Sequence, residues 1–172
     1  MTANQTNEPA SSPLDAVARV KQVLATVSDP EIPALSVLEM GMVSRVMAQD
    51  RSAVIDMTPT FAGCPALDMI RSNIADALRT AGFEFVTVNV VFDPPWTSDR
   101  ITAEGREKLR AFGLAPPGEA CAEFDERSIA SVRCPFCNSA DTNLESLFGP
   151  TLCRAIHYCN ACQQSFEQFK PV

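Results

Sequence analysis

The sequence predicts an α+β fold: a small three-stranded sheet with packed helices, followed by a C-terminal module of short β strands organised by a metal. Three observations carry this expectation. Hydrophobic spacing runs in the order α-β-β-α-β-α as far as Gly113. A stretch with Pro116-Pro117-Gly118 and the acidic residues Glu119, Glu123, Asp125 and Glu126 then reads as a boundary, not as core. Beyond it lie two Cys-x-x-Cys pairs separated by 21 residues.

In chain order, residues 1–13 are polar and read as a loose tail, with no positive segment leading into an apolar stretch as a secretory signal requires. Leu14, Val17, Val20, Leu24 and Val27 recur at intervals of three and four, the spacing of one helical face. Pro30 and Pro33 end that helix. Two β-like runs, 42–47 and 53–57, are joined by the polar segment 48–52 and predict a hairpin. Cys64-Pro65 opens a second helix whose stripe is Leu67, Ile70, Ile74, Leu78 and Ala81, closed by Gly82. Residues 83–92 are rich in β-branched and aromatic side chains and predict a third strand. Asp93-Pro94-Pro95-Trp96 breaks it, and 103–112 forms the last helix of a first domain spanning 14–113. Residues 114–130 are expected to be a linker, and 131–172 a four-cysteine zinc ribbon.

The chain has 172 residues, 46% of them hydrophobic and 20% charged, enough for one ordinary core. Its net charge of -7 argues against broad binding to phosphate backbones, so nucleic acid is not an expected partner. No window reaches the roughly 20 apolar residues that span a bilayer, and seven cysteines without a secretory signal suggest metal and thiol chemistry over disulfides. The expected compartment is the cytoplasm, with no membrane contact.

Cys134-Pro135-Phe136-Cys137 and Cys159-Asn160-Ala161-Cys162 have the spacing of two knuckles that place four thiolates around one tetrahedral ion. About 40 residues make too small a core to fold alone, so the metal supplies folding energy. Zinc is the default for such a ribbon, and a closed shell implies structure or docking, not catalysis. A single iron or an iron-sulfur cluster also uses four thiolates, and both readings stay open. Cys153 and His157 fall in the same hairpin region and could be substitute ligands or groups that support the ligands, although packing is the more common use of such residues, while Cys121 in the linker receives no role.

Cys64 precedes a proline at the expected start of a helix, which would place its thiol at the N-cap, facing free amides and the positive end of the helix dipole. A reactive or metal-binding cysteine and a merely capping one are about equally supported. Asp29 and Glu31 could add carboxylates to a site, although turns use such residues more often. Thr58, Thr60, Arg100 and Arg106 are unremarkable singly. The only histidine, His157, lies in the ribbon, so there is no Cys-His or Ser-His pair, and Arg154 stands where a Glu-x-x-His iron motif would need a carboxylate. Neither a Gly-rich dinucleotide loop nor a P-loop is present, and no autonomous active site is legible.

Taken together, several motifs resemble a known family. Asp29-Pro30-Glu31-Ile32-Pro33, Met40-Gly41-Met42-Val43, Thr58-Pro59-Thr60 with Cys64-Pro65, Pro94-Pro95-Trp96, Arg100-Ile101-Thr102 and Gly105-Arg106 look like the small iron-sulfur assembly domain typified by SufT. The ribbon, with Phe148-Gly149-Pro150-Thr151 and its Phe166 to Lys170 ending, resembles the D-protein family of the bacterial phenylacetyl-CoA epoxidase system. The resemblance implies a reactive cysteine at Cys64, supported by Asp29, Glu31, Thr58, Thr60 and Arg100, and with it a transient iron-sulfur cluster. It also implies a place in aerobic phenylacetate catabolism, as an accessory component of a multicomponent monooxygenase. The implied partners are other subunits of that system, especially the di-iron oxygenase or its iron-sulfur reductase. Three alternatives stay open: a stoichiometric stabilising subunit with no metal-transfer role, a homodimer, and a nucleic-acid adaptor that the acidic charge disfavours.

Overall fold

The computed structural model describes residues 12–118, 129 and 132–171. Residues 1–11 of the expected tail, Cys121 and the acidic residues Glu119, Glu123, Asp125 and Glu126 lie outside the described residues.

Helix α1 spans Pro13–Leu24, with Ser12 accepting from the Asp15 amide at 3.3 Å as its cap and proline at the first helical position. Its buried stripe is Ala16, Val20 and Leu24; of the expected stripe Val20, Leu24 and Val27 are buried, whereas Leu14 is 82% exposed. Strands β1 (Val43–Gln49) and β2 (Ser52–Met57) form an antiparallel hairpin around Asp50-Arg51, a tighter turn than expected, with Asp50 in the left-handed region at φ 52°. Helix α2 (Leu67–Thr80) then buries Ile70, Ile74 and Leu78 and crosses to β3 (Phe85–Val90), which pairs parallel to β2. The sheet order is β1-β2-β3. A single 3-10 turn at Ser98–Arg100 leads to α3 (Ala103–Ala111), capped by Thr102 Oγ1, which accepts from the Gly105 amide at 3.0 Å.

Leu24, Leu35, Met40, Met42, Ile55, Met57, Ile74, Leu78 and Phe83 make the centre of the core. Gly41 is required where it stands. Its φ is 65°, and a Cβ there would lie 2.3 Å from the Arg100 carbonyl oxygen, so only glycine lets the two segments touch. Trp96 anchors the post-β3 loop to the same place by donating Nε1–H to the Met40 carbonyl at 2.9 Å.

The C-terminal sheet has the order β4-β7-β6-β5, built from β4 (Leu114–Ala115), β5 (Thr142–Ser146), β6 (Arg154–Cys159) and β7 (Gln164–Phe169). The sequence reading puts Leu114 and Ala115 in the linker. They instead pair parallel with Glu167 and Gln168, because the chain leaves α3 through Gly113 (φ 88°) directly alongside β7. The ribbon is packed on the first domain. Leu114 and Phe169 are buried in the main core, the Phe169 ring lies 5.9 Å from that of Trp96, and Arg154 Nη2 donates to the Glu31 carbonyl at 2.7 Å. No helix of the described residues is long and apolar enough to cross a membrane.

Candidate metal centre and thiol site

Folding brings the four predicted ligands together. The sulfurs of Cys134, Cys137, Cys159 and Cys162 all lie within 4.8 Å of one another, with Cys134–Cys162 at 3.7 Å and Cys137–Cys159 at 3.5 Å. A tetrahedral ion with metal–sulfur bonds of about 2.3 Å requires sulfur–sulfur edges of about 3.8 Å, so the residues fit a zinc-sized tetrathiolate centre. Two backbone turns of the same form create it. The Asn138 amide donates to the Cys134 carbonyl at 2.9 Å and the Gln163 amide to the Cys159 carbonyl at 2.8 Å. The residue after each second cysteine is left-handed, Asn138 at φ 61° and Gln163 at φ 58°. Asparagine adopts that conformation readily, whereas at Gln163 the turn imposes it. The amide of Cys162, aimed at Cys159, brings that thiol down to about 7 against the desolvation that opposes it. Burial is the main influence that pushes Cys162 up to about 12. A cation held by all four sulfurs would replace the shared protons.

His157, also in the ribbon, stands outside the cluster of four sulfurs. It is fully buried, its Nε2 meets Gln168 Oε1 at 3.0 Å, its ring stacks on Phe166, and burial lowers its proton affinity.

Around Cys64 the structure corrects the sequence reading. Helix α2 begins at Leu67 with Ala66 as its cap residue, so Cys64 precedes the helix instead of capping it; its amide donates to the Phe61 carbonyl at 3.1 Å. Burial, far from being offset by a helix dipole, pushes the Cys64 thiol up, and Asp29, Glu31 and Cys153 push it further. The Ala66 amide opposes this without reversing it. Cys64 is half-buried at the carboxyl end of the parallel pair β2–β3, where connecting loops of α/β units commonly gather ligands.

The other candidates divide. Asp29, buried, holds its own loop by accepting from the Glu31 amide at 2.7 Å and the Ile32 amide at 3.3 Å, and both carboxylates lie within electrostatic reach of Cys64. Thr58 starts the Cys64 loop, and its buried Oγ1 has no partner among the described residues. Thr60 is half-buried on the same loop. Arg100 packs across Gly41, with its Nη1 buried and unpartnered among the described residues. The sequence leaves Cys153 as a packing residue and gives Arg154 no site role, but the ribbon carries both to the Glu31 loop. The only available signal was their position between the two knuckles.

Comparison with known proteins agrees with both halves of this arrangement. Residues 17–90 match the model of the iron-sulfur cluster assembly protein family, and residues 119–170 match the PaaD zinc beta ribbon domain. A crystal structure of a domain of unknown function, DUF59, from Bacillus anthracis superposes with a TM-score of 0.53 at 31% identity, covering 57% of this chain and 94% of that one. The class is therefore an iron-sulfur assembly domain carrying a zinc β ribbon.

Two relatives narrow it. Over 149 residues the chain is 41% identical to an Escherichia coli (strain K12) protein named provisionally as the D component of 1,2-phenylacetyl-CoA epoxidase, covering 86% of this chain and 88% of that one. It is 32% identical over 81 residues to the Fe-S protein maturation auxiliary factor SufT of Staphylococcus aureus (strain USA300), covering 44% of this chain and 88% of that one. The chain belongs to the family of phenylacetyl-CoA epoxidase D components.

Proposed function

We infer that the protein is an accessory maturation factor of a phenylacetyl-CoA epoxidase system, working in the cytoplasm on iron or iron-sulfur centres of client subunits. The di-iron oxygenase and its iron-sulfur reductase are the proposed clients. The observation that carries this reading is the free Cys64 thiol, set beside Asp29 and Glu31 at the carboxyl end of the parallel strand pair. Burial of the thiol, with a buried Asp29 and a half-buried Glu31 in electrostatic reach, disfavours a standing thiolate and favours a cation, the requirement for handling iron as cargo and not for nucleophilic catalysis. The four ribbon cysteines, in contrast, form a closed shell with no open position. We assign them structural zinc, which would hold the two knuckles and β4–β7 together.

The test is Cys64→Ser in a strain growing on phenylacetate. Growth should fall, and the client oxygenase or reductase should accumulate with less iron, while the variant protein stays soluble and keeps its zinc. Normal growth with fully metallated clients would overturn the reading in favour of a subunit that only stabilises the complex.

A further inference from the structure

We propose that Cys153 is the second thiol of the Cys64 site, so that the cargo metal is held between the first domain and the ribbon. This rests on the maturation reading above and adds to it a ligand, and a use for the ribbon.

Two independent tethers place Cys153. Its carbonyl accepts from the Lys170 amide at 2.9 Å, and Lys170 follows Phe169, whose ring packs 5.9 Å from Trp96 in the post-β3 loop. Arg154, the next residue, donates to the Glu31 carbonyl at 2.7 Å. Each tether ends on a loop of the first domain, one after β3 and one beside Asp29. Cys153 and Cys64 consequently pack, both half-buried, against the same core cluster.

The electrostatics agree from both sides. Cys64 is raised first by burial, then by Asp29, Glu31 and Cys153; Cys153 is raised first by burial, with Glu31 adding to it while Thr151 and Arg154 oppose. Lys170 is lowered by burial and partly restored by Cys153. Glu31 is thus shared by both thiols. Two protonated thiols within electrostatic reach of a common carboxylate form a poor nucleophile and a good receptor for a thiophilic cation. When such an ion enters, two S–H bonds are replaced by two S–metal bonds and two protons leave to solvent, with no change of oxidation state.

The site differs from the ribbon centre in how tightly it is assembled. Among the described residues, only the four ribbon cysteines form a ligand group within mutual 4.8 Å. Cys64, Cys153 and the carboxylates must close on their ion, which suits cargo that has to leave again.

The experiment uses the full chain, zinc-loaded and anaerobic, titrated with Co(II) alone. One cobalt per chain should bind without zinc release and show near-ultraviolet thiolate-to-cobalt absorption. Cys64→Ser and Cys153→Ser should each lose at least half of that absorption, and the double variant all of it, at unchanged zinc content. As a check that needs no variant, alkylation of Cys64 and Cys153, followed by mass spectrometry, should slow together when cobalt is added.

Unchanged absorption in Cys153→Ser, protection of Cys64 alone, or a band that arises only with zinc release would each overturn the proposal. Iron content of the clients separates this failure from that of the maturation reading. If Cys64→Ser starves the clients and Cys153→Ser does not, Cys153 is a packing residue and the maturation role stands.

Discussion

Phe169→Ala tests whether the ribbon and the first domain share one core. Phe169 belongs by sequence to the last ribbon strand, yet its side chain is 1% exposed and joins the main cluster beside Trp96. Truncating a fully buried phenylalanine costs about 3–5 kcal/mol, because the transfer term and the residual cavity add. A chain of this length loses about 2–4 °C of Tm per kcal/mol, so the zinc-loaded variant should melt about 6–20 °C lower. Circular dichroism gives the Tm, and Trp96 fluorescence reports the first domain directly. Both should shift together in one transition. Phe166→Ala, which empties the small cluster of Ala115, Cys134 and Cys159, should instead loosen the metal while moving Trp96 fluorescence less. A Phe169→Ala shift of under about 2 °C, or a Trp96 transition that stays in place, would refute the shared core.

Three further outcomes follow from particular contacts. Cys137→Ser or Cys162→Ser should lose the ribbon metal and aggregate, and a chelator should melt β4–β7 while α1–α3 survive at lower Tm; circular dichroism with metal analysis decides this. Gly41→Ala should cost more than about 2 kcal/mol in denaturant unfolding, because it combines a left-handed φ with a Cβ pressed on the Arg100 carbonyl. Glu39 is desolvated, but its bonds from Lys108 and from Ser36 outweigh that and hold its carboxyl below its ordinary 4.5. Its contribution is therefore present above pH 4.5 and is lost as the pH falls through the lower folded value. Glu39→Gln should cost about 1 kcal/mol at pH 7, the low end for a charge-assisted bond because Lys108 is partly exposed, and clearly less at pH 3.

Local signals in the sequence were sufficient for the elements of the first domain. The 3.6-residue stripe of Ile70, Ile74 and Leu78 and the polar break at Asp50-Arg51 each act within a few residues, and both appear in the structure, whereas the cap at Ser12 fell in what read as a loose tail. The knuckle spacing was equally local, and the fold brings those four sulfurs within 4.8 Å of one another. What could not be read was how the two halves meet. A two-residue strand such as Leu114–Ala115 has no periodicity to detect, and nothing near Phe169 says that it leaves the ribbon for the core around Trp96.

The same distinction explains the error at Cys64. Proline after cysteine does signal a turn into a helix, and the Leu67 amide does return to the Cys64 carbonyl at 3.3 Å, but the helix proper starts after that turn. A displacement of two residues takes the thiol from the helix dipole and leaves it to its other neighbours. Those neighbours, Asp29, Glu31 and Cys153, come from distant parts of the chain, and their combined effect has the opposite sign to the one expected. The chemistry changes with it: a dipole-activated thiolate would attack an electrophile, whereas a protonated thiol among carboxylates waits for a cation. Any iron-handling role of Cys64 therefore depends on the docking of the ribbon as much as on its own loop. Loosening that docking through Arg154, which holds the Glu31 carbonyl, should impair client metallation even with both thiols and the ribbon metal in place. An Arg154→Met variant with normal zinc and fully metallated clients would show that the first domain acts alone.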